Sequence, residues 1–206
     1  MQNNELPVKE KVKRSIETYN KYATIYAQYT KEKLLQFQLE KFISLLFSKG
    51  KILDAGCGCG RDSLYLIENG LNVIAVDLSE GMIKEAKKNE VNAIKGDLLL
   101  MKSNKEFAGI WCMATLHSIP KTDAPKLMKN FYSALEKEGI LYIAVKEGEG
   151  EHLIEKKRYE NSPIFYAFYK KEELEDLLKS CNFEIIELII SDDEGTNWIE
   201  VFAKKI

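Results

Sequence analysis

The 206-residue chain sets 30 Lys and Arg against 32 Asp and Glu, a formal net charge of −2, with 45% hydrophobic and 30% charged residues. This balance gives no bulk electrostatic reason to expect a nucleic-acid or membrane partner, and no apolar run approaches the ~18 residues of a membrane span. The start M-Q-N-N-E-L-P-V-K-E-K-V-K-R is too polar for a signal peptide, so the chain reads as a cytoplasmic protein, of a length that suits one domain over residues 1–206.

In chain order, the first fifty residues predict two helices. Val12, Ile16, Tyr19, Tyr22 and Tyr26 recur at helical spacing, then Leu35, Leu39, Phe42, Ile43 and Leu46, with Gly50 as the stop. From Lys51 onward short β-rich runs alternate with amphipathic helices, the pattern of a parallel sheet covered on both faces. Strands are expected at Lys51 to Asp54, Asn72 to Val76, Val91 to Lys95, Phe107 to Met113 and Ile140 to Val145. Helices are expected between them: one ending near Asn69-Gly70, one capped by Ser79, and one from Thr122 to Gly139 with Pro125 in its first turn. Residues 146–169 break the alternation and read as an irregular insertion. A helix over Lys170 to Cys181 follows, then strands Phe183 to Ile190 and Asn197 to Ala203, which the turn S-D-D-E-G-T joins as an antiparallel hairpin.

The chemistry centres on K-I-L-D-A-G-C-G-C-G-R-D-S, Lys51 to Ser63. Glycines at 56, 58 and 60 permit a strand-to-helix turn against which a ligand can lie on bare backbone. Asp77 ends the next strand, where a carboxylate can accept hydrogen bonds from a ribose diol. A dinucleotide turn would put its third glycine where Arg61 stands, and no Gly-Lys-Ser/Thr follows for a phosphate loop. Asp54, just before the turn, would repel a pyrophosphate, so the site suits a nucleoside that is not anionic. Cys57-x-Cys59, with only His117 and His152 elsewhere and no paired C-x-x-C, reads as small buried thiols and not as a metal site.

L-D-A-G-C-G-C-G, V-D-L-S-E-G-M-I and K-G-D-L together resemble the successive motifs of class I S-adenosylmethionine-dependent methyltransferases, over about Lys51 to the C-terminus. Within that family G-C-G-x-G-R-D-S-L-Y-L and A-T-L-H-S-I-P are most similar to small bacterial enzymes, some called tellurite-resistance-like. The resemblance implies a doubly wound α/β, Rossmann-like fold with a mostly parallel seven-stranded sheet whose last strand is antiparallel. It implies S-adenosylmethionine as cofactor and S-adenosylhomocysteine as product. By position, Asp54, Gly56, Cys57, Gly58 and Gly60 would hold the methionine part, Asp77 the ribose, Leu78 and Met82 the adenine, and Asp97 with Leu98 its amino edge. Met82 serves equally as core filler, Asp97 as a turn residue and Leu98 as packing.

A sulfonium methyl is already activated, so the protein has chiefly to align nucleophile, carbon and sulfur and to exclude water. His117 is the candidate base, with a structural imidazole as its competitor. By resemblance to similar enzymes residues 1–50 are expected to form a lid, with Tyr19, Tyr22 and Tyr26 as substrate contacts and core packing as the equal competitor for each Tyr. Residues 146–169, with Arg158 and a run of aromatics, are expected to wall a pocket for a small, partly apolar or cationic acceptor, with a dimer surface or a long loop packed on the sheet as the alternatives. The expected partner is a small-molecule acceptor, with nucleic acid as runner-up, in a monomer or homodimer. A non-catalytic module that binds the cofactor is the reading from another class.

Overall fold

The computed structural model describes residues 6–206; the first five residues of the polar N-terminal stretch lie outside the described residues. Its centre is β1 (Lys51–Ala55), which pairs in parallel with β2 (Asn72–Asp77) on one side and β4 (Phe107–Met113) on the other. With β3 (Ala93–Lys95), β5 (Leu135–Lys146), β8 (Phe183–Asp193) and β9 (Thr196–Lys205) they form one seven-stranded sheet in the order β3-β2-β1-β4-β5-β9-β8. β9 runs antiparallel to both β5 and β8, so the expected terminal hairpin is present and closes the sheet.

The period-two alternation of strands sorts the core into two layers. Leu53, Ile110, Leu141 and Ile143 point to the face covered by α6 (Ala124–Ala134) and α7 (Lys171–Ser180), against Leu127, Phe131 and Leu174. Their neighbours Ile52, Trp111, Tyr142 and Ala144 point to the opposite face, against Leu39 and Phe42 of α3 (Gln36–Leu45) and Leu66 of α4 (Arg61–Glu68). There Trp111 and Tyr142 stack with ring centroids 4.0 Å apart, both fully buried. α5 (Glu80–Lys88) follows β2 and begins where the Ser79 hydroxyl accepts the Met82 N–H at 3.2 Å.

Four local expectations are corrected. The first predicted helix is two, α1 (Val8–Lys21) and α2 (Ala23–Thr30), broken at Tyr22. Tertiary contacts overrule the helical periodicity there: the Tyr22 ring stacks on Tyr159 at 5.6 Å and its hydroxyl donates to Glu160 at 2.6 Å. α3 stops at Leu46, where ψ turns to 124°, well before Gly50. Gly50 instead allows a close approach to β4, since a Cβ there would lie 2.9 Å from the Ala108 Cβ. α6 ends at Ala134, before Gly139, because Leu135 already pairs with Phe107.

The fourth correction concerns the insertion, which is regular. β6 (Glu151–Lys156) and β7 (Ser162–Ala167) form an antiparallel hairpin joined through a 3₁₀ turn, Lys157–Tyr159. β7 lacks a polar alternation because both its faces are covered: Phe165 and Ala167 join the main core, while Ile164 and Tyr166 pack with Tyr22 and Tyr159 under α1. The Thr18 hydroxyl donates to the Pro163 carbonyl at 2.8 Å, tying α1 to this strand.

Candidate functional site

The residues singled out by the glycine turn gather at the carboxyl ends of the parallel strands, where an open α/β sheet binds its ligands. Two cavities, about 640 and 350 Å³, meet there. Tyr19, Tyr26, Gly56, Gly58, Met113 and Ala114 line both. Between them, the turn after β1, the end of β4 and the helices α1 and α2 form the wall that the two spaces share.

The turn is built by backbone hydrogen bonds to β2. The N–H groups of Gly56 and Cys57 both donate to the Val76 carbonyl, at 2.8 and 2.9 Å. Gly56 has φ +81°, and a Cβ there would sit 2.1 Å from the Thr115 hydroxyl, so no larger residue fits. Gly60 also has a positive φ but lines neither cavity. An added Cβ would press on Ala86 and Val91 at 3.0 to 3.1 Å, so Gly60 is the close-packing glycine of this turn and not a ligand contact. Cys57 lines the larger cavity as a thiol whose pKa burial pushes up.

Asp77 ends β2 and lines the smaller cavity. Its two carboxylate oxygens accept the N–H groups of Gly58 (2.9 Å) and Ser79 (2.8 Å). These bonds hold the carboxylate in one orientation and leave lone pairs free for further donors. Burial raises its pKa, and the backbone donors act against that rise. Leu78, Met82, Asp97 and Leu98 line the same cavity. Asp97 is a turn residue as well as a lining one, its Oδ1 accepting the Leu99 N–H at 2.9 Å. Val12, Ile16 and Ile119 complete an apolar slot, with Asp123 at its edge.

Asp54 faces the larger cavity and is 3% exposed, with its Oδ2 receiving the Ser63 hydroxyl at 2.5 Å. Burial, then the charge of Asp62, push its pKa up to about 7, against the Ser63 hydrogen bond. Asp62 is the anchor of this corner. It is bridged by Arg61 through Nε at 2.6 Å and through the terminal nitrogen at 3.0 Å, and it accepts the Trp111 indole N–H at 2.9 Å.

Some expected contacts stand elsewhere. Tyr22 lines neither cavity, its ring and hydroxyl being used against Tyr159 and Glu160. His117 sits in a 3₁₀ turn (Leu116–Ser118), 3% exposed, packed against the rings of Tyr166 and Trp198. It too lines neither cavity. Burial, then the Lys146 charge, lower its pKa to about 3, and an imidazole that weakly basic is a poor proton acceptor near neutral pH. His117 is thus a buried structural imidazole and not the expected base. Arg158 does line the larger cavity, its guanidinium 3.5 Å from the Tyr29 ring.

Sequence reasoning missed Asp62, Ser63, Met113, Ala114, Asp123, Lys146 and Trp198. Asp62 and Ser63 had a signal, because they follow the glycine turn at the helix start. Ala114 had none by residue type, yet it takes a left-handed φ of 54° at the junction of the two cavities, the kind of backbone position that clusters at ligand sites. Among the described residues, no group of three or more His, Cys, Asp or Glu side chains is placed to hold a metal ion, and no helix is long and apolar enough to cross a membrane.

Comparison with known proteins adds the family. YqeM of Bacillus subtilis, a methyltransferase by name, is 33% identical over 106 residues, 47% of this chain and 42% of that one. The chain thus spans less than half of that relative's length. A ubiquinone biosynthesis O-methyltransferase of Rickettsia canadensis is 26% identical over 80% of this chain and 77% of its own. Among solved structures, the 1,6-didemethyltoxoflavin-N1-methyltransferase of Burkholderia thailandensis, with 1,6-didemethyltoxoflavin and S-adenosylhomocysteine bound, superposes with a TM-score of 0.74 at 18% identity. It covers 100% of this chain and 93% of that one, a likeness of fold. The methyltransferase-domain family matches residues 23–188, which takes in every element from α2 into β8, and the chain belongs to that family.

Proposed function

We propose that this chain binds S-adenosylmethionine across the junction of the two cavities and transfers its methyl group to a small molecule held in the larger one. The observation that carries this reading is Asp77. Its carboxylate is oriented by two backbone N–H groups, retains free lone pairs, and opens onto an apolar slot between Leu78, Met82 and Leu98. That arrangement fits a ribose diol beside a purine, and the Gly56–Gly58 backbone next to it offers no side chains to obstruct a ligand passing into the larger cavity. Family membership and the cofactor-product complex of the Burkholderia thailandensis enzyme support the same donor.

When bound, the cofactor supplies a methyl group on a positively charged sulfur, already activated for displacement. The chain's share is alignment and exclusion of water. Tyr19 and Tyr26 line both cavities from the helical side, and Met113 with Ala114 line them from β4, so the acceptor would approach the sulfur between these walls. Asp54 would face the amino end of the cofactor. Transfer would proceed by in-line displacement, with the acceptor atom opposite the sulfur.

Calorimetric titration tests the reading. Wild type is expected to bind S-adenosylmethionine and S-adenosylhomocysteine, and Asp77→Ala to lose at least tenfold in affinity for both, about 1.4 kcal/mol or more. Wild type that binds neither would remove the assignment.

A further inference from the structure

Three cations reach the larger cavity from the side of the β6–β7 hairpin: Lys146 at the end of β5, Lys156 at the end of β6, and Arg158 in the turn that follows. Among the described residues, none of the three has a carboxylate within ion-pair distance; what they have is ring faces. The Lys146 ammonium lies 4.5 Å from the Tyr166 centroid and 5.6 Å from that of Trp198. The Lys156 ammonium lies 5.1 Å from the Tyr166 centroid, and the Arg158 guanidinium stacks on Tyr29.

The cavity does contain acids, but three are paired with cations, three accept neutral hydroxyl or N–H donors, and one is exposed. Asp193 and Glu194 pair with Lys33, Glu200 accepts the hydroxyls of Tyr142 and Ser191, Asp62 is bridged by Arg61, and Asp54 receives Ser63. Asp192 accepts the Gly195 N–H, and Glu32 stands exposed. Arg61, the remaining cation of this wall, is likewise occupied by Asp62 and the Thr30 carbonyl. The crowding of like charges registers on Lys146, whose pKa falls to about 8 through burial and then through the charges of Lys156 and Arg158. Like charges gathered around partly buried space repel one another, and an anion among them relieves both the repulsion and the missing partners.

We infer that the acceptor is a flat small molecule bearing an anionic group, which Lys146, Lys156 and Arg158 bind while Tyr159, Tyr166 and Trp198 hold its body. This rests on the methyltransferase reading above. The rings supply flat apolar surface at a low cost in side-chain freedom, and cations above them give the charged end of the acceptor a fixed side of the cavity. A cationic acceptor would meet three positive charges on this side of the cavity, and the buried carboxylate of Glu200 is already held by two hydroxyls.

The test titrates 4-hydroxybenzoate and its neutral isostere 4-hydroxybenzamide into the full chain saturated with S-adenosylhomocysteine. In wild type the benzoate is expected to bind at least tenfold tighter than the amide, a factor worth about 1.4 kcal/mol. In the Lys156→Gln/Arg158→Gln double variant the two should bind within about twofold of each other. Equal binding in wild type, a benzoate that does not saturate, or a preference that survives in the double variant would overturn the inference. So would a tenfold loss of S-adenosylhomocysteine affinity in that variant, since the cluster would then serve the cofactor's own carboxylate. The unliganded thermal midpoint of each protein controls for folding, and Lys156→Gln alone, expected to lose part of the preference, substitutes if the double variant unfolds. Failure of wild type to bind S-adenosylhomocysteine at all would instead remove the reading beneath the inference.

Discussion

Asp54 shows how a residue named by its motif acquires its chemistry from its surroundings. Its place before the glycine turn was legible in the sequence, but its protonation was not. Burial and the neighbouring Asp62 carboxylate bring its pKa to about 7, so at neutral pH it is poised between two charge states. If it faces the cofactor's ammonium group, binding lowers that pKa, and below about pH 7 each binding event expels a proton. Affinity for S-adenosylhomocysteine is then expected to rise roughly tenfold between about pH 5.5 and about pH 7, and calorimetry of Asp54→Asn should show that rise flattened. The position of Asp77 at the cavity was legible because strand end, turn and acidic side chain follow one another in the chain. Asp62 and Asp123 were less so: one draws its importance from Trp111, 49 residues away, and the other from a cavity assembled out of distant segments.

At the scale of elements, the helical wall over the site docks on α5 through a close backbone approach at Gly81. Asn20 of α1 accepts the Ser79 hydroxyl at 2.8 Å and the Gly81 N–H at 3.1 Å, and the Thr24 hydroxyl of α2 donates to Glu85 at 2.7 Å. A Cβ on Gly81 would lie 2.5 Å from the Asn20 carbonyl oxygen and 2.8 Å from its Cα, backbone atoms that cannot swing aside. By propensity alone Gly81→Ala should strengthen α5 by about 1 kcal/mol. The clash is expected to win locally: α1 and α2 should lift from α5 while the sheet stays folded. Hydrogen exchange should then show faster exchange confined to residues 8–30, and cofactor-product affinity should fall several-fold. Unchanged protection there would show that the wall is held by other contacts. The amphipathic pattern named these helices as helices, yet neither their break at Tyr22 nor their docking on α5 follows from periodicity, because both are set by partners 59 to 138 residues along the chain.

For the molecule as a whole, two buried groups make stability respond to pH in opposite senses. Asp54 has a raised pKa, so its contribution is fullest below the ordinary carboxylate range and declines as pH rises toward about 7. His117 has a lowered pKa of about 3, so its contribution is present above its ordinary value and is lost as pH falls below that value. Replacing the imidazole isolates the second effect. Relative to His117→Leu, wild type is expected to lose about 2 kcal/mol between about pH 7 and about pH 5, measured by urea unfolding; a constant difference would show that the imidazole is not held neutral. The sequence by itself determined the alternating α/β order, the parallel core of the sheet, the terminal hairpin and the nucleoside-type turn. Each of these is written in local periodicity, in glycine and cap positions, or in a motif contiguous along the chain. Only the tertiary structure decided that residues 146–169 form a hairpin and that His117 is buried away from both cavities. It alone placed Lys146, Lys156 and Arg158 around one space. Burial, protonation and cavity walls are made by residues far apart in the chain, and no local pattern records which of them will meet.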